Sequence, residues 1–144
     1  MIKSVIKGYG YYVPDNVVTN DDLSKLMTTN DEWITERTGI KERRHRKNRN
    51  DSEETTAVFA KRASEKALEK AGLTAKDIDF IVFATLSPDY YFPGSGVLLQ
   101  DLLGCDTIGA LDVRNQCSGF VYAMSVADAF IKSGTYKNIL VVGA

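Results

Sequence analysis

Thr107-Ile-Gly-Ala-Leu-Asp-Val-Arg-Asn-Gln-Cys117-Ser-Gly-Phe-Val-Tyr-Ala-Met-Ser-Val-Ala-Asp-Ala-Phe-Ile131 reads as a short buried strand running straight into a helix, with a cysteine at the joint. The first part, Thr107 to Val113, is a short apolar run, and the last, Gly119 to Ile131, has helical length with Asp128 as its only charge. Cys117 is therefore expected at a helix N-terminus, where backbone N–H groups lack intrahelical partners and the dipole favours a thiolate. Ser118 and Gly119 after it let backbone and substrate approach closely. Two readings of Cys117 fit this spacing, a nucleophile and a small buried structural thiol.

The helix after Cys117 bears on the size of the whole protein. Phe120, Val121, Tyr122, Met124, Val126, Phe130 and Ile131 point all round a 3.6-residue period, so the helix is expected to be packed on every side. A membrane span would need roughly 20 apolar residues, and Asp128 and Lys132 interrupt this run. Asn138-Ile-Leu-Val-Val-Gly-Ala144 reads as a fully buried parallel strand, and ligand sites of open α/β sheets lie just beyond the carboxyl ends of such strands. The expectation is an N-terminal part of a longer protein.

Outward from this centre, strands and helices alternate. Ile2 to Val13 reads as a strand in which Gly8 and Gly10 mark a bend or a close approach. Thr19 or Asn20 caps a short helix through Met27, and Asn30 or Asp31 caps a second that Gly39 stops. Lys41 to Asn50 reads as a polar, basic connector. Asp51 or Ser52 then caps the longest helix, with Val58, Phe59, Ala63, Ala67, Leu68 and Ala71 as its apolar face and Gly72 as its stop. Asp79 to Leu86 is the next strand, and Pro93-Gly94 opens a helix over Val97 to Leu103. This order predicts an α/β fold with a mostly parallel central sheet covered by helices on both faces.

Composition excludes several function classes. With 44% hydrophobic residues and a formal net charge of -1, no global field selects nucleic acid or an anionic membrane. The opening Met1-Ile-Lys-Ser-Val-Ile-Lys-Gly lacks the apolar core of a signal peptide, so a cytoplasmic protein is expected. Cys105 and Cys117 are then free thiols, and with His45 as the one histidine no zinc site is expected. The basic run from Lys41 to Arg49 lacks interleaved aromatics and fits a solvated or phosphate-facing loop better than a nucleic-acid module. His45, set among cations, is no catalytic partner for Cys117.

Several separated motifs, in order and in spacing, resemble β-ketoacyl-acyl-carrier-protein synthase III from end to end of the chain. They are Asp31-Glu-Trp-Ile-Thr-Glu-Arg-Thr-Gly-Ile40, Phe92-Pro93, the Cys117-Ser-Gly-Phe elbow with its Asp112-Val113 lead-in, Ser125-Val-Ala-Asp followed by Lys132-Ser-Gly, and Leu140-Val-Val-Gly. The resemblance implies a thiolase-like fold of two similar α/β halves in five layers, with residues 1–144 as the N-terminal domain. It implies that Cys117 takes an acyl group from acyl-coenzyme A and passes it to the carbanion left when malonyl-acyl-carrier protein loses carbon dioxide. No cofactor is implied beyond the coenzyme A thioester substrate, and the family's histidine and asparagine would lie beyond Ala144, leaving this chain alone inactive. A homodimer is implied too.

Four further positions carry over from the same resemblance. Trp33 would stack on the coenzyme A adenine, Arg37 would meet its phosphates, Thr29 would hydrogen-bond near the adenine, and Phe92 would reach across the dimer interface into the partner's acyl pocket. Packing aromatics are the alternative for Trp33 and Phe92. Asn115 and Gln116 stand where the best-known bacterial members carry small residues, which bears on primer preference. Hydroxymethylglutaryl-coenzyme A synthases, secondary-metabolite ketosynthases and a non-catalytic dimerising half are the other readings of the same fold.

Overall fold

The computed structural model describes residues 2–48 and 52–144, and these form two compact units, one of residues 13–54 and the other of the remainder. In the larger unit the centre is strand β3, Phe80–Ala84, in which every residue is buried. It pairs in parallel with β4, Gly109–Val113, on one side and β5, Ile139–Gly143, on the other. A central strand buried on both faces must be apolar without alternation, which is how Phe-Ile-Val-Phe-Ala reads. Its odd-numbered residues Ile81 and Phe83 pack with Ala60 and Leu68 of α3, Thr56–Ala71, and Leu99 of α4, Ser95–Leu103. Its even-numbered residues Phe80, Val82 and Ala84 pack with Ala123 and Ala127 of α5, Gly119–Lys132. Helices thus cover both faces of a parallel sheet, as the alternating pattern predicts. Gly109 makes room for this core, because a Cβ there would come 2.3 Å from the Phe80 ring.

Several expectations need correction. Residues 2–12 form no strand among the described residues. The close approach expected of Gly8 and Gly10 is real, however, and is made to a helix, since a Cβ on either would sit 2.2 or 2.3 Å from the carbonyl oxygens of Ala67 and Ala63. That contact also redraws the face of α3. Ala57, Ala60, Ser64 and Leu68 are buried, whereas Phe59, Ala63, Ala67 and Ala71 lie on the side met by the N-terminal segment, with Phe59 against Tyr12 at 5.4 Å between ring centres.

The cap of α3 is Thr55, whose side chain accepts from the Val58 N–H; Ser52 is not the cap, and Asp51 lies outside the described residues. Helix α5 is packed on one face only. Gly119, Ala123 and Ala127 are buried, while Phe120, Val121, Tyr122 and Met124 are exposed, because the described residues offer a surface to one side alone. Strand β5 is an edge strand, so only Leu140 and Val142 of it are buried.

The smaller unit holds β1, Val17–Thr19, α1, Asn20–Ser24, α2, Asp31–Thr38, and β2, Glu42–Arg44. Part of the expected basic connector is therefore a strand, since Glu42 to Arg44 find antiparallel partners in Thr19 to Val17. Arg49 and Asn50, also assigned to that connector, lie outside the described residues. Thr19 caps α1 with a reciprocal capping box to Asp22. Asn20, only 1% exposed, joins the unit: its amide donates to Asp31 and to the Ile40 carbonyl, and its oxygen accepts from Arg43. Among the described residues no helix is long and apolar enough to cross a membrane, and no group of three His, Cys, Asp or Glu could hold a metal.

Candidate active site

The carboxyl end of the sheet carries the elbow. Thr85 N–H donates to the Val113 carbonyl and Ala144 N–H to the Ala84 carbonyl, extending the parallel alignment past the strands themselves. Beyond β4, the chain turns over Gln116–Gly119, closed by a 2.8 Å bond from the Gly119 N–H to the Gln116 carbonyl. Cys117 is the second residue of that turn and is exposed. The N-cap is Ser118, in αR conformation, so Cys117 stands two residues before α5, which starts at Gly119 as its sequence suggests. Asn115 Nδ2 donates to Ser118 Oγ at 3.3 Å and braces the turn, while Gly119 is buried against β3. The buried-thiol reading thus fails for Cys117 and fits Cys105, which is half-buried and whose thiol pKa burial pushes up.

The loop from β3 to α4 is held by carboxylates. Asp89 accepts from the Thr56 and Ala57 N–H groups at the start of α3, and its own N–H donates to Ser95 Oγ. Asp112, on β4, accepts from the Ser95 and Gly96 N–H groups at 2.9 and 2.8 Å and so satisfies the open end of α4. Between these anchors Tyr90, Tyr91 and Phe92 are exposed, Phe92 to 90%, and Arg114 donates to the Tyr91 carbonyl at 2.6 Å. Phe92 itself is not packed into its loop, since it buries almost nothing. Sequence reading marked Asp112 as part of a motif but missed what it, Asp89, Ser95 and Arg114 do. The signal for Asp112 was an acid in an otherwise apolar strand.

Thr29, Trp33 and Arg37 are gathered in the smaller unit. Asn30 Oδ1 accepts from the Trp33 N–H at 2.7 Å and starts α2, and Gly39, at φ 71°, ends it. Arg37, one turn on, lays its guanidinium 4.6 Å from the centre of the Trp33 ring. Trp33 is 53% exposed and forms, with Thr28, Thr29 and Asn30, the wall of an open depression. The Thr29 hydroxyl oxygen is buried, with no hydrogen-bond partner among the described residues. Trp33 is thus no core aromatic. His45 is exposed and its N–H serves the Asn16 carbonyl.

Comparison with known proteins follows the same lines. The family pattern of 3-oxoacyl-acyl-carrier-protein synthase III matches residues 111–144, which include the elbow. The chain is 52% identical over 143 residues to a β-ketoacyl-acyl-carrier-protein synthase III of Xanthomonas euvesicatoria, covering 99% of this chain and 43% of that protein. The crystal structure of 3-oxoacyl-acyl-carrier-protein synthase III from Aquifex aeolicus superposes with a TM-score of 0.91 at 48% identity, covering 100% of this chain and 44% of that one. The Thermus thermophilus enzyme gives 0.87 at 37% identity, over 98% and 42%. With its thiolase-like α/β fold, the chain belongs to the 3-oxoacyl-acyl-carrier-protein synthase III family and spans 43% of the length of the Xanthomonas relative.

Proposed function

We propose that the protein at its natural length is a condensing acyltransferase that begins fatty acid synthesis. The observation that carries this reading is an exposed Cys117 on the turn that follows β4, at the carboxyl end of three parallel strands. Its thiolate attacks the carbonyl carbon of an acyl-coenzyme A, and the tetrahedral intermediate collapses with loss of the coenzyme A thiolate, leaving an acyl group on Cys117 Sγ. The Cys117 backbone N–H is one donor to the oxyanion. Malonyl-acyl-carrier protein then loses carbon dioxide, its carbanion attacks the acyl carbon, and the Cys117 thiolate leaves. Splitting the condensation in this way needs no cofactor beyond the two thioester substrates.

Trp33, Arg37 and Thr29 serve the coenzyme A moiety in this reading. A flat indole, a guanidinium and an unpartnered hydroxyl beside an open depression suit a nucleotide with phosphates. Phe92, on an exposed aromatic loop, lines the acyl pocket of a second copy in a cytoplasmic homodimer. The test is intact-protein mass spectrometry after incubation with acetyl-coenzyme A. One acetyl group on the peptide containing Cys117, discharged by malonyl-acyl-carrier protein, is expected. Acetylation discharged only by acetoacetyl-coenzyme A would assign the chain to the hydroxymethylglutaryl-type relatives instead.

A further inference from the structure

The segment that delivers Cys117 also grips the loop that carries Phe92. That loop is fastened at its start by Asp89 and by the Thr56 hydroxyl, which donates to the Ser87 carbonyl at 2.7 Å. Its end is fastened by Asp112 through Ser95 and Gly96. In between, Tyr90 to Phe92 project into solvent. Into this middle stretch reaches Arg114, from the chain between Val113 and Cys117, with Nη2 2.6 Å from the Tyr91 carbonyl oxygen and the guanidinium 5.4 Å from the Tyr91 ring centre.

We propose that Arg114 is a positioning residue that sets primer selectivity, by fixing the peptide unit next to Phe92 against the segment that ends in the nucleophile. The inference rests on the reading above that Phe92 lines an acyl pocket. A charged donor on a main-chain carbonyl makes a short, strong bond, and the carbonyl of Tyr91 belongs to the peptide unit whose nitrogen is that of Phe92. The flat guanidinium also lies over the Tyr91 ring, so one side chain restrains both main chain and side chain. Without this bond, Tyr90 to Gly94 would be free to swing between two rigid anchors. The Phe92 ring would then occupy a spread of positions rather than one, and a pocket wall that moves discriminates poorly between chain lengths.

The experiment uses the protein at its natural length and compares Arg114→Gln, Arg114→Lys and Phe92→Ala with the parent. Two quantities are read: amide hydrogen exchange over residues 90–94, and the ratio of kcat/KM values for a short and a longer acyl-coenzyme A primer. Arg114→Gln is expected to raise loop exchange by about tenfold, as for local opening with fewer restraints. It should also move the primer ratio in the same direction as Phe92→Ala. Arg114→Lys, which keeps the charge but loses the plane, should fall between it and the parent, and it decides the matter if the glutamine variant does not fold. Unchanged exchange in the Arg114 variants overturns the proposal. So does an unchanged primer ratio in variants whose loop has loosened, provided Phe92→Ala changes that ratio. If Phe92→Ala leaves the ratio untouched, the role given to Phe92 fails, and with it selectivity set by Arg114, while loop exchange alone still reports whether Arg114 holds the loop.

Discussion

Arg37 and Trp33 form a stacked pair one helical turn apart, with the guanidinium 4.6 Å from the indole centre and a second contact from Arg37 Nη1 to the Trp33 carbonyl at 3.5 Å. Glu36 lies 3.6 Å from the same nitrogen and leaves the pair exposed. Such a pair adds little to stability but presents a preformed cationic plane. Arg37→Ala should therefore cost about 1.5–3 kcal/mol in kcat/KM for coenzyme A thioesters, the range for a charge-assisted contact, while the melting temperature hardly moves. Steady-state kinetics beside a thermal melt separate the two. A changed acyl preference at unchanged coenzyme A affinity would place α2 in the wrong part of the site.

The two cysteines should differ sharply toward an alkylating agent. Cys117 is exposed on a turn, whereas Cys105 is half-buried and burial raises its thiol pKa, with Lys76 opposing. Near neutral pH iodoacetamide should label Cys117 first, and acetyl-coenzyme A should protect it. Peptide mapping at short times gives the ratio, and equal labelling of both residues would remove the nucleophile assignment.

Asp112 joins the stability of α4 to the strand that precedes the elbow. Asp112→Ala leaves the N–H groups of Ser95 and Gly96 without their acceptor, next to a Ser95 that is fully buried. Loss of about 1–2 kcal/mol is expected, as for deletion of a helix cap, or more if water cannot reach the site. Urea unfolding measures it, and Asp112→Asn should recover part of the loss because its one carbonyl oxygen still accepts.

Much of this was legible in the chain itself, for local reasons. Phe80 to Ala84 is an unbroken apolar run because it is the central strand, and Gly39 and Gly72 end two helices in left-handed conformation because little else adopts it at low cost. What was not legible depends on distant partners. Residues 2–13 have a strand composition, yet no ladder forms beside them among the described residues, and their glycines serve α3 instead. Glu42-Arg-Arg44 is charged throughout and became a strand only because Val17 to Thr19 lie opposite. In the candidate site, Cys117 and the Trp33 motif were visible as residue types in sequence. Arg114 was not, since its role lies in a contact 23 positions away.

The docking of the N-terminal segment can be tested at Gly10. An alanine there would drive its Cβ to within 2.3 Å of the Ala63 carbonyl oxygen, a backbone atom that cannot step aside. Gly10→Ala should destabilise by about 1–3 kcal/mol, as overpacking does, and speed proteolysis within residues 2–12. Acid below about pH 4 should loosen the same segment. Lys132 first, and then the Ser4 hydroxyl at 2.7 Å, hold the Asp128 carboxyl below its usual range. A depressed carboxyl contributes fully above its unfolded value of about 4 and loses that contribution as pH falls through the lower folded one. Proteolysis followed from pH 7 down to pH 3 should therefore accelerate only at the acid end, and Ser4→Ala should speed it already at neutral pH and flatten the acid step.

Those same contacts set an order in time. Ser4 meets Asp128 across 124 positions, and Gly8 and Gly10 meet a helix that begins at Thr56. During synthesis at about 5–20 residues per second, the first dozen residues leave the ribosome well before the surfaces they rest on exist. The first residues of this chain thus take their place only after residues as far on as Asp128 have been made.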